Sequence, residues 1–213
     1  MNLILMGAPG AGKGTQAERI SERWNIPTIS TGDVLRAAIR EGNELGKIAK
    51  TYIDDGKLVP NDIVVGIVED YLKSEKCKNG FILDGFPRSI AQAEALEKMG
   101  VRIDAVLSIE VDDDVIVKRM SGRRLCSGCG VSYHVEYNPP KIENVCDKCG
   151  KSLYTRDDDA PATVKKRLET YHNETKPLEA FYTERGCLVS VKGQEKVEET
   201  TALVFGALSG IEA

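Results

Sequence analysis

Apolar residues first appear as a continuous run, Leu3-Ile4-Leu5-Met6, and similar runs follow at Phe81-Ile82-Leu83, Ala105-Val106-Leu107-Ser108-Ile109 and Leu188-Val189-Ser190-Val191. Short runs without strict alternation predict strands covered on both faces. Pro27-Thr28-Ile29-Ser30 adds a shorter strand. Between the runs the spacing changes to that of helices. Ala17, Ile20 and Trp24 mark one apolar stripe, and Val34, Leu35, Ala38 and Ile39 mark a second that ends at Gly42. Leu45, Ile48, Tyr52 and Ile53 form a third, stopped at Asp55-Gly56. After Pro60-Asn61-Asp62 the stripe runs through Ile63, Val64, Ile67, Val68 and Tyr71. Further helices are predicted over Ile90, Ala93 and Leu96, over Val115, Ile116 and Met120, and over Val197, Thr201, Val204 and Leu208. Pro161, at a first-turn position, opens a long helix through Val164, Leu168, Tyr171, Thr175, Leu178 and Tyr182, with a kink expected at Pro177.

This rhythm predicts an α/β fold: a parallel five-stranded sheet flanked by helices. It fails in two places. Two successive helices with no strand between them place residues 30–59 outside the sheet as a helical insertion. Residues 123–160 carry glycine, Pro139-Pro140, paired cysteines and a few β-formers, and read as a second insertion, a small β-domain. The core is then residues 1–29, 60–122 and 161–213. Ligands are expected at the C-terminal ends of the strands, where both insertions emerge.

Composition narrows the picture. With 213 residues, 41% of them hydrophobic, the chain can bury a full core. A formal net charge of -4 argues against a protein that mainly grips nucleic-acid backbone. No apolar run approaches the ~18–20 residues a membrane span needs. The apolar N-terminus lacks a basic region before it and a cleavage site after it, so a cytoplasmic location is expected.

The candidate chemistry begins at Gly7-Ala8-Pro9-Gly10-Ala11-Gly12-Lys13-Gly14-Thr15, directly behind the first strand. A strand, a glycine-rich turn and a helix start are the context of a phosphate-binding loop. Backbone N–H groups and the helix N-terminus attract the anion, and Lys13 adds a mobile cation. Gly14 fills the position where the usual pattern has a hydroxyl residue, and Thr15 follows one place later. Asp84 ends a buried strand, either as an acid that orders a magnesium shell or as a turn residue before Gly85. Cys126-x-x-Cys129 and Cys146-x-x-Cys149, with sixteen residues between the pairs, have the spacing of a structural four-thiolate zinc site. Cys77, Cys187 and His134 fall outside that site. Arg36, Arg88, Arg119, Arg123, Arg156 and Arg167 all lie at element ends or insertion boundaries, as phosphoryl transfer between polyphosphates would require.

Gly7-x-Pro9-Gly10-x-Gly12-Lys13-Gly14-Thr15-Gln16, Ser30-Thr31-Gly32-Asp33, Asp84-Gly85-Phe86-Pro87-Arg88, Gly122-Arg123-Arg124 and Arg156-x-Asp158-Asp159 with Arg167 together resemble the adenylate kinase family. Gly14 before Thr15 is that family's own loop variant. The cysteine-bearing second insertion resembles the family's long, zinc-binding bacterial form. The resemblance implies a phosphate-loop kinase with a helical NMP-binding insertion and a zinc lid. Its implied reaction is reversible, Mg²⁺-dependent phosphoryl transfer from ATP to AMP, giving two ADP. The implied ATP-side residues are Gly10, Ala11, Gly12, Lys13, Gly14, Thr15, Arg119, Arg123, Ser132, Tyr133 and Glu195. The implied AMP side comprises Thr31, Arg36, Lys57, Leu58, Val59, Gly85, Phe86, Pro87, Arg88, Gln92, Arg156 and Arg167. Lys13, Arg88, Arg123, Arg156 and Arg167 would surround the moving phosphoryl group, with Asp84 ordering the magnesium waters. The expected partners are these nucleotides alone, with no nucleic acid, no membrane and a monomeric chain.

Two other readings stay open on the residues alone. One is a kinase for UMP, CMP or a non-nucleotide acceptor, although Thr31 and Gln92 favour AMP. The other is a nucleotide-gated zinc ribbon that binds nucleic acid, against which Asp147, Asp157, Asp158 and Asp159 and the scarcity of aromatics argue. Zinc and iron both suit four thiolates.

Overall fold

In the computed structural model, which describes residues 1–211, the first apolar run becomes β1 (Asn2–Met6), the central strand of the sheet. It pairs in parallel with β3 (Phe81–Asp84) on one side and β4 (Ala105–Glu110) on the other. β2 (Thr28–Ser30) and β8 (Leu188–Lys192) complete the parallel order β2-β3-β1-β4-β8. The pleat sends Leu3 and Leu5 to one face and Ile4 and Met6 to the other, and both faces are covered. Leu3 and Leu5 meet α1 (Lys13–Trp24), α6 (Asp113–Gly122), α7 (Pro161–Thr170) and α9 (Val197–Leu208) through Ile20, Ile116, Leu168 and Val204. Ile4 and Met6 belong with α4 (Asn61–Leu72), α5 (Ile90–Lys98) and α8 (Leu178–Glu184) through Val68, Leu96 and Leu178. A central strand buried on both faces explains the unbroken apolar run. The loops that leave β1 and β3 diverge to helices on opposite faces, which opens a crevice at their C-terminal ends.

The first insertion is a helical hairpin, α2 (Thr31–Glu41) and α3 (Glu44–Asp54). Ser30 caps α2 by accepting the Asp33 N–H, and Asn43 caps α3 by accepting the Gly46 N–H. Gly46 brings the two helices into backbone contact, since a Cβ there would lie 2.1 Å from the Ala38 carbonyl oxygen. The second insertion is an antiparallel sheet of order β6-β5-β7, from β5 (Arg123–Cys126), β6 (Ser132–His134) and β7 (Leu153–Tyr154). Its apolar centre is only Cys126, Tyr133, Cys146 and Leu153, with Val131 against them.

Three stripe positions differ from expectation: Ile48, Tyr71 and Val115 are 44%, 45% and 37% exposed. In α3 the buried face runs through Gly46 and Ala49, because α2 approaches on the glycine side and turns Ile48 outward. In α9 Thr200, rather than Thr201, lies on the buried face. The long helix after Pro161 is also not continuous. A π-helical turn at Tyr171–Thr175 separates α7 from α8, closed by the Lys176 N–H donating to the Tyr171 carbonyl at 2.8 Å. The departure from α-geometry therefore precedes Pro177, which has no N–H with which to restore the ladder.

Gly46→Ala should lower the melting temperature despite alanine's better helix propensity. The added Cβ must push α2 and α3 apart, at a cost of about 1–3 kcal/mol typical of overpacking. A thermal melt that matched or exceeded wild type would show that the helices separate freely.

Candidate active site

The turn after β1 curls back on itself because Gly7, Gly10 and Gly12 adopt positive φ. Gly10 also needs its missing side chain, since a Cβ there would lie 2.7 Å from Met120 Sδ on α6. The turn closes through the Ala11 N–H donating to the Ala8 carbonyl at 3.1 Å. Lys13 Nζ donates to the Gly7 carbonyl at 2.7 Å and the Ala8 carbonyl at 2.9 Å, so the ammonium lies inside the loop. Burial pulls its pKa down to about 8; Asp84 opposes the shift, while Arg88, Arg167 and Arg123 reinforce it. Lys13 thus remains a cation at neutral pH. Asp84 enters from β3, which pairs with β1 at Leu5. Burial raises its pKa against the pull of Lys13 and Arg88. One Asp84 oxygen lies 3.8 Å from where a Gly14 Cβ would stand.

Opposite the loop, arginines from three segments converge around two acids, and a fourth pairs with an acid of its own. Arg123, at the start of the small sheet, pairs with Asp159, and its Nε donates at 2.8 Å. Arg156 pairs with Asp158, its Nε donating at 2.7 Å. Arg167, on α7, reaches Asp158 at 3.0 Å and Asp159 at 3.3 Å and donates to the Asp158 carbonyl at 2.9 Å. Arg36 pairs with Asp33 at 2.5 Å on the helical insertion. Burial alone would raise the Asp158 pKa, but hydrogen bonding from Arg156 and the charges of Arg167 and Arg156 hold it at about 2. Burial among other cations lowers Arg167 to about 10, which still leaves it charged.

Arg88 leaves β3 through Gly85, whose carbonyl accepts from Arg88 Nε at 2.8 Å and from Thr31 Oγ1 at 3.0 Å. The Arg88 N–H donates to Gln92 Oε1 at 2.7 Å, and Gln92 Nε2 donates to Asn61 Oδ1 at 2.9 Å. On the other side Arg119 donates to the Gln194 carbonyl at 2.6 Å, next to exposed Glu195. A cleft of about 1290 Å³ runs between these groups, and its walls include Lys57, Leu58, Val59, Pro87, Ser132 and Tyr133. Of the residues singled out in the sequence as nucleotide contacts, Phe86 alone is absent from the walls. Its side chain is fully buried in the core under β1 and β3. Gln92 and Tyr133 reach the wall but are almost wholly buried.

The four paired cysteines bring their sulfurs within 4.8 Å of one another. Cys126 and Cys149 are 3.3 Å apart and Cys129 and Cys146 3.5 Å, far beyond the ~2.05 Å of a disulfide bond. The Gly128 and Cys129 N–H groups donate to Cys126 Sγ, as in a metal-binding knuckle. These spacings fit a tetrahedral metal held by thiolates. His134 is outside the cluster: its Nδ1 accepts from the Glu136 and Tyr137 N–H groups, both at 3.1 Å.

The family described as Adenylate kinase matches residues 5–187 of the chain. The adenylate kinase of Caldicellulosiruptor bescii is 59% identical over the full length of both chains. That of Bacillus subtilis is 53% identical, again over both full lengths. The Clostridioides difficile enzyme is 51% identical over 98% of each chain. The chain belongs to the adenylate kinase family. It is therefore a phosphotransferase of the nucleoside monophosphate kinase type.

In this adenylate kinase family member the acids that organise the arginines, Asp158 and Asp159, stand in one of the motifs that carry the resemblance, but the motif itself does not show that they pair with the arginines. The available signal was an acidic run immediately after Arg156, in a segment that also had to bring several cations together. Asn61 and Thr175, which hydrogen bond around Arg88, gave no local signal at all.

Asp158→Asn should destabilise the protein by about 3–5 kcal/mol near neutral pH, since it leaves Arg156 and Arg167 short of a buried partner. The native carboxyl titrates near 2 against an ordinary value of 3.8, so its stabilisation is complete above about pH 4 and is lost as pH falls towards 2. The melting-temperature gap between wild type and variant should narrow over that window. A gap independent of pH would assign the effect to packing rather than charge.

Proposed function

We propose that the chain catalyses reversible transfer of the ATP γ-phosphoryl group to AMP, giving two ADP. The observation that carries this reading is one cleft lined both by a phosphate loop with Lys13 and by Arg36, Arg88, Arg156 and Arg167. Adenylate kinases that match over the whole chain support the same reading. The loop from Gly10 to Thr15 holds the ATP phosphates, with Arg119, Arg123, Ser132 and Tyr133 on the donor side and Glu195 at its rim. Thr31, Arg36, residues 57–59, Gly85 to Arg88 and Gln92 form the acceptor side.

An AMP phosphate oxygen attacks the γ-phosphorus and the bridging oxygen leaves on ADP. The nucleophile is already an anion, so no side chain has to take a proton. Lys13, Arg88, Arg123, Arg156 and Arg167 spread and balance the negative charge of the transition state. Asp84, beside Lys13 and Gly14, suits an acid that holds the hydration shell of Mg²⁺; the ion supplies charge neutralisation on the donor phosphates. Insertions on both sides of the cleft suit a closing motion that keeps water from the γ-phosphoryl group. The four cysteines hold a structural Zn²⁺ in the small β-insertion, whose apolar centre is too small to sustain it.

Coupled measurement of ADP formation with AMP, UMP, CMP and GMP as acceptors tests the substrate assignment, and AMP should be preferred by a wide margin. Lys13→Met in the same assay should lower turnover by about 10³-fold or more with the fold intact. Activity within tenfold of wild type would remove Lys13 from the reaction.

Replacing Cys129 and Cys146 with serine should eject the metal and lower the melting temperature. Activity at low temperature should survive, because four thiolates leave the ion no position for substrate. Metal content, thermal melt and low-temperature rate are read on one preparation. A fully folded, metal-free protein without activity would put the metal in the chemistry itself.

A further inference from the structure

The π-helical turn at Tyr171–Thr175 lies directly behind the acceptor side of the cleft. Its last residue, Thr175, is 7% exposed, and its Oγ1 donates to the main-chain carbonyl of Arg88 at 2.8 Å, across 87 positions of sequence. The Arg88 N–H is held by Gln92 and the Arg88 Nε by the Gly85 carbonyl. Thr175 therefore takes the one polar main-chain group of Arg88 that those contacts leave over. The same turn continues from α7, which carries Arg167, eight residues before Thr175. Just ahead of it, Thr170 Oγ1 donates to the Gly56 carbonyl at 3.0 Å, at the end of the helical insertion.

From this geometry we infer that Thr175 is a positioning residue for phosphoryl transfer. It fixes the main chain of Arg88 and ties that arginine in register to the helix bearing Arg167. A regular α-helix through residues 171–175 would rotate residue 175 by roughly 100° per residue of offset and turn the hydroxyl away from Arg88. The π turn thus has a task in the site, in keeping with the frequent placement of such turns at functional sites. Thr175 touches no reacting atom; it sets where the Arg88 guanidinium starts from. A buried carbonyl that loses its donor drifts, and small misplacements of a charge-stabilising group cost rate more than affinity.

The inference rests on Arg88 belonging to the transfer site. Thr175→Val keeps shape and branching but removes the donor; Thr175→Ser keeps the donor. The valine variant should lower kcat by about tenfold or more, with the ATP KM unchanged, and serine should restore most of the rate. In an Arg88→Lys background, Thr175→Val should cost much less than in wild type, because the group it positions is already altered. A valine variant with wild-type kcat, a serine variant as slow as valine, or an undiminished cost in the Arg88→Lys background would each overturn the role. If Arg88→Lys itself leaves kcat unchanged, the placement of Arg88 in the reaction fails instead. A folded valine variant is verified by its melting curve, and a drop in melting temperature with unchanged kcat counts as structural and against the proposal.

Discussion

Several cations must be held close together out of water, and that requirement explains much of the arrangement around the cleft. Arg123, Arg156 and Arg167 would repel one another if buried alone, and desolvation adds to the cost. Asp158 and Asp159 resolve this from a short turn between the small sheet and α7, where each receives at least two arginines. Because Arg123 opens β5 and Arg156 follows β7, both ends of the second insertion are bound to the same pair of acids. All three arginines line the cleft as one group.

The opposite wall is set by the sheet. β1 is buried on both faces, so its C-terminal end is one of the more rigid points of the fold, and the phosphate loop begins there. β3 delivers Asp84 and then Gly85 and Arg88 from the neighbouring register position. Two charge systems, one centred on Lys13 and Asp84 and the other on the arginines and their acids, thus face each other across the crevice. Lys13 and Asp84 moderate one another: each is pushed by burial towards its neutral form, and each opposes that shift in the other.

The two insertions are supported in different ways. The small β-insertion has a centre of four buried side chains, two of them cysteines. An element with so little apolar burial has to be held by other bonds, which the clustered thiolates can provide through a metal. The helical hairpin relies instead on direct backbone contact at Gly46 and on side-chain caps at both helix starts.

Features governed by local geometry were readable from the chain alone. The glycine spacing of the loop demands positive φ, unbroken apolar runs demand covered strands, and each C-x-x-C pair keeps two sulfurs close enough to join a four-sulfur cluster. The five-stranded parallel sheet and both excursions followed from such signals. The outward turn of Ile48, Tyr71 and Val115 did not, because helical spacing defines a stripe without saying which neighbour covers it. Phe86 sat inside a recognisable motif, yet its ring went to the core, since a motif names positions and only packing assigns the side of the chain that meets solvent. Asp159 and Thr175 take partners 36 and 87 residues away, whereas Asp158 pairs with Arg156 and Arg167 nearby in the chain. Long-range hydrogen bonds and ion pairs leave little trace in local sequence, because any segment that folding brings close enough can supply the partner.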